Sequence, residues 1–223
     1  MLDVIIPVYN EEKILLQKKD YYQSLRHKAR VIFVDGGSTD RTVEIAKNFG
    51  EVIASERGRA LQMNKGVQIS NAEYILFLHV DTYIYRVGAL DKVTGVLSNG
   101  ICGGCFTMNI EDSRRIFRIF EWIVNFRAKY WGVMDGDLGL FVKRSVFDNV
   151  GQFDSLPIME DILFSKKLRK EGKWAVLPDR ILVSSRKWDE KGFLKTFVQY
   201  CRAYVGFWFK LPLGKEYNRA RKQ

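Results

Sequence analysis

The stretch LFLHVDT, residues 76–82, changes abruptly from an apolar run to polar residues. Tyr74 and Ile75 precede it and extend the apolar run, which predicts a buried strand. A buried strand that ends in a carboxylate often delivers that group to a site, because ligands of open α/β sheets bind beyond the carboxyl ends of the strands. Asp81 is therefore a candidate site residue, although Asp is also common in turns and could simply cap the next one.

Strand and helix signals alternate through the first half of the chain. Apolar or β-branched runs predict four strands, at Asp3–Val8, Val31–Val34, Val52–Ala54 and Tyr74–Leu78. Helical patterns lie between them, at Glu12–His27, from a cap at Thr39 or Asp40 to Phe49, and at Gly58–Ile69. This alternation predicts an α/β fold in which a parallel sheet is covered by helices on both faces.

The second half of the chain is less regular. Its strand candidates are Ile101–Ile110, Leu138–Val142, Trp174–Leu177 and Ile181–Val183. Its helix candidates are Arg114–Tyr130, Asp161–Lys170 and Gly192–Phe209. No internal repeat or linker interrupts the sequence, so we expect residues 1–223 to form a single domain.

The 223 residues carry a net charge of +10, from 36 Lys and Arg against 26 Asp and Glu. This excess favours anionic partners such as nucleotides, nucleic acid or an acidic membrane surface. Three Cys do not make a disulfide framework, and the first residues do not look like a signal peptide. We therefore expect a cytoplasmic protein, with association at the inner face of the membrane as an open alternative.

Three predicted strands end in polar clusters, at residues 7–11, 35–40 and 79–81. In a parallel sheet these ends lie along one edge, so the clusters should meet in one crevice. Asp35 could accept hydrogen bonds from a base or a ribose, and Gly36 lets the backbone approach a flat ring closely. Asp81 could hold a divalent cation that bridges a diphosphate. A simple turn at Asp35 and Gly36 remains the alternative.

These segments resemble the family 2 glycosyltransferases, which have the GT-A fold. The matching segments are IIPVYNE (residues 5–11), VDGGSTDRT (34–42), LFLHVDT (76–82) and MEDILFSKKLR (159–169). Three more resemble a small single-domain subgroup from bacteria and archaea: GRALQMNKG (58–66), GDLGLFVKR (136–144) and SSRKW (184–188). The resemblance extends from about Asp3 to about Glu190. It implies a Rossmann-like, mostly parallel sheet that binds a nucleotide sugar.

The resemblance also implies roles for residues near the nucleotide. The implied contacts to the base and ribose are Pro7, Tyr9, Glu11 and Asp35, with Arg59 near the base or the diphosphate. A D-x-D motif follows the fourth strand in the family, and here it reads His79-Val80-Asp81. Asp81 would bind the metal, Mg or Mn. His79 replaces the first Asp and could bond a ribose hydroxyl or join the metal shell.

Glu160 and Asp161 resemble the Glu-Asp pair of the family, in which the Asp is the general base. An acceptor hydroxyl is a poor nucleophile until a carboxylate takes its proton as the new bond forms. Members of the family invert the anomeric carbon in one displacement, so no covalent nucleophile is implied. Without the other motifs, two acidic residues at this position would only suit a helix N-terminus.

Three further residues are candidate substrate contacts, each with a structural alternative. Lys187 could hold the diphosphate and Trp188 could stack under a sugar ring, or the segment could be a basic strand end with Trp188 in the core. Asp137 could contact the acceptor or could be a turn residue. The aromatic segment Phe193–Leu213 could pack on the sheet or lie on a membrane surface.

The sequence therefore predicts a metal-assisted, inverting glycosyltransferase that uses a UDP- or GDP-linked sugar. Residues 1–100 would bind the nucleotide, residues 101–190 the acceptor, and residues 191–223 would form a C-terminal helix and tail. The acceptor is an unknown hydroxyl compound, and lipid-linked acceptors are included. The alternatives are a metal-dependent nucleotidyltransferase and a basic nucleic-acid-binding protein. The acidic strand ends oppose nucleic-acid binding, because they would repel phosphates.

Overall fold

The central strand β1, Leu2–Val8, is buried along its whole length because nearly every residue in it is apolar. A computed structural model describes residues 1–156 and 158–208. Its other strands are β2 Arg30–Asp35, β3 Glu51–Ala54, β4 Tyr74–Phe77, β5 Thr82–Ile84, β6 Gly103–Ile110, β7 Leu140–Lys143 and β8 Trp174–Val183. These strands form one sheet in the order β3-β2-β1-β4-β7-β6-β8-β5.

The sheet changes direction between its two halves. The strands β3, β2, β1 and β4 are parallel neighbours. Beyond them β7 runs antiparallel to both β4 and β6, and β8 runs parallel to β6. The expected α/β fold with a mostly parallel sheet is confirmed. The antiparallel strands β7 and β5 depart from the fully parallel sheet that the strand and helix alternation alone implies.

Helices cover both faces of the sheet. They are α1 Glu12–Gln17, α2 Lys19–Arg26, α3 Thr42–Ala46, α4 Arg59–Ile69, α5 Ala89–Ser98, α6 Arg115–Trp131, α7 Arg144–Asn149, α8 Glu160–Glu171, α9 Arg186–Lys191 and α10 Phe193–Trp208. One core, which includes Leu15, Tyr22 and Val93, packs under α1, α2 and α5. A second core, which includes Phe117 and Phe164, packs under α4, α6 and α8.

Two predicted elements differ from the structure in an informative way. The helix predicted over Glu12–His27 is two helices, because the backbone at Lys18 leaves the helical region with φ −107° and ψ 22°. The two strands predicted at Trp174–Leu177 and Ile181–Val183 are one, β8. Phe106 pairs with Leu177 and Thr107 with Arg180, so the intervening residues bulge out without ending the strand.

The sequence patterns did not predict β5, α5, α7 and α9, and of these β5, α7 and α9 are six residues long or shorter. The final helix, predicted over Gly192–Phe209, spans Phe193–Trp208. Residues 209–213, the end of the predicted Phe193–Leu213 segment, lie outside the described residues. Within residues 1–156 and 158–208, every helix is too short or too polar to cross a membrane.

Gly66 sets how closely α4 approaches the sheet. A methyl group added there would lie 2.5 Å from Cγ2 of Ile5, which is fully buried. We expect Gly66→Ala to lower the free energy of unfolding by about 1–2 kcal/mol, because overpacking costs about 1–3 kcal/mol and the gain in helix propensity offsets at most about 1 kcal/mol. Denaturant unfolding measures the change.

Gly95→Ala is the matched control, because Gly95 also lies inside a helix but a methyl group there meets nothing within 4 Å. Its free energy of unfolding should rise by about 0.5–1 kcal/mol. Equal effects of the two substitutions would contradict close packing of α4 on the sheet.

Candidate active site

The carboxyl ends of β1, β2 and β4 lie side by side at one edge of the sheet. Val8, at the end of β1, pairs with Asp35 at the end of β2. On the other side of β1, Leu78 donates its backbone N–H to the carbonyl of Ile5 at 3.0 Å. The convergence of the three strand ends, predicted from the sequence, is therefore confirmed.

The loops that follow β1 and β2 are tied to each other. Asn10 donates its backbone N–H to Oγ of Ser38 at 2.9 Å, and its side-chain oxygen accepts from the N–H of Thr39 at 2.8 Å. The N–H of Glu11 bonds Oγ1 of Thr42 at 2.6 Å. Asn10 adopts φ +53°, a rare conformation for a non-glycine residue. The two loops form one preorganised wall.

Asp35 is 6% exposed, and its carboxylate organises its own turn. It accepts hydrogen bonds from the backbone N–H groups of Gly37 and Ser38, each at 3.0 Å, and from the Ser38 hydroxyl at 2.5 Å. A carboxylate offers about four acceptor positions. The segment therefore forms a turn, and because the Ser38 N–H contacts both carboxylate oxygens, at 3.0 and 3.2 Å, the three donors make four contacts with Asp35.

Gln62 on α4 holds the ends of β1 and β2 together. Its side-chain nitrogen donates to the carbonyl of Val8 at 2.9 Å and to the carbonyl of Val34 at 2.7 Å. A methyl group on Gly36 would lie 3.2 Å from the Gln62 amide. Sequence reasoning missed this positioning residue, because nothing in a helical pattern distinguishes an inward-facing Gln from a surface one.

Aromatic and cationic side chains lie beside the end of β1. The Arg57 guanidinium lies 3.9 Å from the centroid of the Tyr9 ring, and Pro7 is buried within the strand. Arg57 was not among the predicted residues, although Arg commonly stacks on aromatic rings. Tyr9 is half-buried, and Arg57 lies over one face of its ring.

Asp81 lies in a tight turn that follows β4, and it is half-buried. Thr82 donates both its N–H and its hydroxyl to the carbonyl of His79, at 3.1 and 3.0 Å. The buried hydroxyl of Tyr22 donates to the carbonyl of Val80 at 2.7 Å. These bonds from both sides fix the direction in which the turn presents Asp81.

Glu11 and Asp81 influence each other electrostatically across the ends of β1 and β4. Burial raises the pKa of Glu11 to about 7, the charges of Asp81 and Asp40 add to this rise, and Arg186 opposes it. Arg186 begins α9, in the SSRKW segment. Arg186 of this segment therefore acts electrostatically on Glu11, whereas the Lys187 side chain lies outside what the structure describes.

The antiparallel strand β7 brings a turn from the second half of the chain to the same edge. Leu140 at the start of β7 pairs with Phe77 at the end of β4, so the preceding turn Gly136–Leu138 lies next to His79. His79 Nδ1 lies 2.6 Å from Oδ1 of Asp137. Burial alone would lower the pKa of His79, but the hydrogen bond and the charge of Asp137 raise it. Asp137 is thus a turn residue that also binds His79.

Asp161 reaches this turn from the start of α8. Its Oδ2 accepts the backbone N–H of Gly136 at 2.6 Å, and it is half-buried. Met159, just before the helix, has φ +67° although it is buried and not a glycine. Such strain persists only where the surroundings impose it, and it is commonly found at functional sites.

Glu160 and Arg59 form an ion pair that joins the two halves of the site. Arg59 Nε lies 3.0 Å from Oε1 of Glu160, whose side chain is 2% exposed. Oε2 of Glu160 is buried without a hydrogen-bond partner. Burial raises the pKa of Glu160, and Arg59 opposes the rise. Arg59 was predicted near the base or the diphosphate, and its guanidinium is already engaged here.

A second group of polar side chains lies behind Asp161 and was not predicted. Asp135 pairs with Arg127 of α6 and accepts the Tyr204 hydroxyl at 2.8 Å. Burial raises the pKa of Asp135 to about 6, with Arg127 opposing and Asp161 adding to the rise. Tyr200 lies within electrostatic reach of Asp161. Sequence offered no signal for these contacts, which require α10 to fold over the site.

Trp188 is 5% exposed and packs in an aromatic cluster. Its ring stacks on Phe193 at 4.9 Å and meets Phe120 edge-on at 5.0 Å. Of the two interpretations of Trp188 given by the sequence, this placement is the core residue. A ring enclosed by other rings offers no face to a sugar.

The donor set around Asp81 suits a divalent cation shared with phosphate. Among the residues that the structure describes, no group of three or more His, Cys, Asp or Glu side chains could hold a metal ion. Mg²⁺ and Mn²⁺ are commonly held by one or two carboxylates together with phosphate oxygens and water, so one Asp suffices. His79 bonds Asp137 through Nδ1, as metal-bound His residues also commonly bond a carboxylate, and its Nε2 lies against Gly136, where an added methyl group would be 2.8 Å away.

The family model described as Glycosyl transferase family 2 matches residues 3–147, well over half of the chain. This chain belongs to glycosyl transferase family 2. It is 30% identical over 109 residues to the PGL/p-HBAD biosynthesis glycosyltransferase of Mycobacterium bovis, covering 44% of this chain and 41% of the relative. It is 24% identical over 186 residues to poly-beta-1,6-N-acetyl-D-glucosamine synthase of Staphylococcus epidermidis, covering 75% of this chain and 45% of the relative. The chain thus spans less than half of either relative.

Solved structures confirm the GT-A fold of this family member. The mannosyltransferase PcManGT from Pyrobaculum calidifontis, in complex with GDP-Man and Mn²⁺, superposes with a TM-score of 0.63 at 20% identity, covering 81% of this chain and 56% of that one. S. aureus TarS 1-349 in complex with UDP-GlcNAc superposes with a TM-score of 0.62 at 20% identity, covering 82% of this chain and 58% of that one. The family resemblance drawn from the sequence motifs is confirmed.

We expect the Arg59–Glu160 ion pair to stabilise the folded protein. Arg59→Met should lower the free energy of unfolding at neutral pH by about 2 kcal/mol, below the roughly 3–5 kcal/mol of a fully buried pair, because the Arg59 side chain is 45% exposed. The pKa of Glu160 is already raised in the folded protein, so its ionisation costs stability as pH rises above the ordinary 4.5. The loss should therefore shrink as pH falls.

Chemical denaturation across pH tests this, with Arg41→Met as the control. Arg41 pairs with Glu44 on the surface at 3.2 Å, where solvent screens the charges, so its removal should leave the free energy of unfolding nearly unchanged. Arg59→Met/Glu160→Met should recover most of the lost stability. A loss in Arg59→Met that is independent of pH and survives in the double variant would disprove the pairing.

Proposed function

We propose that this chain transfers a sugar from a nucleoside diphosphate donor to a hydroxyl acceptor with inversion at the anomeric carbon. One observation carries the proposal. The turn that bears Asp81 is linked to Asp161 through His79, Asp137 and Gly136, by contacts of 2.6 Å at each end. Asp81, which suits the donor side, therefore belongs to the same rigid cluster as Asp161, which suits the acceptor side.

The donor would occupy the edge formed by the ends of β1, β2 and β4. Tyr9 would lie against the base, and Asp35 would accept a hydrogen bond from the base or ribose, with Gly36 leaving room for close approach. Pro7 and Glu11 would complete this wall. Since one solved neighbour is a complex with GDP-Man and another with UDP-GlcNAc, both donor classes remain candidates for this chain.

Asp81 would hold a divalent metal, Mg or Mn, together with the diphosphate. The bound metal would offset the negative charge that builds on the leaving nucleoside diphosphate. Arg186 would add positive charge on the same side, because it already acts on Glu11. We assign His79 a positioning role through Asp137. We assign the role of holding the diphosphate, which the sequence suggested for Lys187, to its neighbour Arg186.

Asp161 would act as the general base. It would take the proton of the acceptor hydroxyl while the acceptor oxygen bonds the anomeric carbon and the bond to the diphosphate oxygen breaks. The Gly136 N–H fixes one oxygen of Asp161, and the other accepts the N–H of Ile162 at 2.8 Å. Glu160, paired with Arg59, would position the start of α8. Asp137 would remain near the acceptor without taking its proton.

Asp161→Asn should reduce kcat by about 10²–10⁴-fold, the usual contribution of a general base. It should leave nucleotide binding unchanged, because Asn keeps the size of the side chain and lies on the acceptor side. Turnover of a UDP- or GDP-sugar with an acceptor panel measures the first effect, and calorimetry with the nucleoside diphosphate measures the second.

The control for Asp161→Asn is Asp91→Asn, an exposed Asp paired with Lys28 at 3.4 Å on the helix α5. It should retain full activity. Wild-type turnover in Asp161→Asn would assign the base to another residue.

Donor binding should raise thermal stability in a metal-dependent way. A nucleoside diphosphate at about one hundred times its dissociation constant should add about 2.7 kcal/mol. Differential scanning calorimetry with UDP, GDP and their sugars, with and without Mn²⁺, identifies the nucleotide base of the donor. Asp81→Asn should lose the Mn²⁺-dependent part, and Asp91→Asn should keep it.

Two outcomes of the nucleotide panel would favour the rival functions. Pyrophosphate release from a nucleoside triphosphate would indicate a nucleotidyltransferase. Oligonucleotide binding with a steep salt dependence and no response to any nucleotide would indicate a nucleic-acid-binding protein.

A further inference from the structure

Helix α6 exposes a continuous row of large apolar side chains, which we call the α6 outer face. Its members are Ile116 (41% exposed), Ile119 (56%), Trp122 (65%), Ile123 (44%), Phe126 (37%), Tyr130 (59%) and Trp131 (60%). They recur at helical spacing and so lie along one side of the helix. The opposite side, through Phe117, Val124 and Ala128, is buried in the core. Soluble monomers rarely expose an apolar row of this size without a partner.

Aromatic rings within the α6 outer face support each other. Phe126 contacts Tyr130 at 4.6 Å, Trp122 at 5.4 Å and Trp131 at 5.8 Å between ring centroids. Trp and Tyr are the residues enriched where a protein meets the boundary between lipid chains and water. The face thus combines a rigid aromatic patch with isoleucines toward the amino end of the helix.

Arg and Lys side chains border this face, together with the exposed Glu171 at the end of α8. Arg115 and Lys129 are exposed on α6, and the last turn of α8, with Arg169 and Lys170, adjoins the carboxyl end of α6 because Arg169 donates to the carbonyl of Trp131. The single carboxylate of α6, Glu121, is buried and accepts the N–H of Ile110. The apolar row is therefore bordered by cations, with no exposed carboxylate on its own helix.

We infer that the α6 outer face is a docking surface for an anionic lipid bilayer. An amphipathic helix with basic residues beside Trp, Phe and Ile binds in the plane of the headgroups and is attracted to anionic lipids. The inference concerns a surface contact and does not depend on the proposed function.

Other occupants fit the α6 outer face less well. A second copy related by a twofold axis would place like surfaces together, so the cations of α6 would face cations. Residues 209–223 of this chain contain five Lys or Arg and one Glu, so they carry the same sign of charge. Nucleic acid would find aromatic rings to stack on but would gain nothing from the isoleucines.

The α6 outer face lies close to the acceptor side of the candidate site. Arg127 of α6 pairs with Asp135, and Gly136 follows and bonds Asp161. A bilayer under α6 would therefore border the side of the site where the acceptor enters. If the proposed function holds, this placement favours a lipid-linked acceptor.

Vesicle flotation of the full chain tests the inference. Wild type should float with phosphatidylcholine vesicles that contain phosphatidylglycerol, and much less with phosphatidylcholine alone. Trp122→Ser/Phe126→Ser should reduce partitioning by at least about a hundredfold, since both side chains would lose the burial of their rings in the bilayer. Arg115→Glu/Lys129→Glu should weaken binding to the anionic vesicles only. Circular dichroism verifies that each variant is folded.

Tyr85→Ser is the matched control, because Tyr85 is 63% exposed but lies outside α6. It should float like wild type. Absence of flotation by the wild type, or equal flotation by wild type and Trp122→Ser/Phe126→Ser, would overturn the inference. So would a dimer in sedimentation analysis that this double variant abolishes, or oligonucleotide binding that depends on the same two residues. None of these results depends on transferase activity, so the proposed function stands or falls separately.

Discussion

The strand β4 pairs with β1 in parallel on one side and with β7 antiparallel on the other, and the site depends on this arrangement. The parallel pairing places the end of β4 next to the ends of β1 and β2. The antiparallel pairing places the start of β7 at the same edge, so the turn at Gly136 lies against His79. Without the reversal at β7, the turn at Gly136 would lie at the opposite edge of the sheet from His79.

The site contains several carboxylates, and each has its own partner in an ion pair or hydrogen bond. Glu160 has Arg59, Asp135 has Arg127 and Tyr204, Asp137 has His79, and Asp161 has the backbone at the start of α8. Buried charges are tolerated when they are paired or hydrogen-bonded. This matching leaves the cluster rigid, with Asp81 and Glu11 at its border near the ends of β1 and β4.

The sequence alone predicted where β1, β2 and β4 end, because an apolar run that breaks into polar residues indicates both the strand and its end. That reasoning located Asp35 and Asp81. It could not find Gln62, whose role depends on facing two carbonyls, nor the pairing of His79 with Asp137, which requires β7 to lie beside β4. For Trp188 two interpretations were open, and only the packing of α9 and α10 around its ring decides between them.

The short strand β5, directly after Asp81, pairs only with β8 among the strands described, with Thr82 opposite Val183. On the ribosome the residues of β8 appear roughly 5–20 seconds after those of β5. During that interval β1 to β4 can already associate, but the turn that carries Asp81 lacks the strand that anchors its far side. The edge at the carboxyl ends of β1, β2 and β4 therefore reaches its final shape only when the last third of the chain has been synthesised.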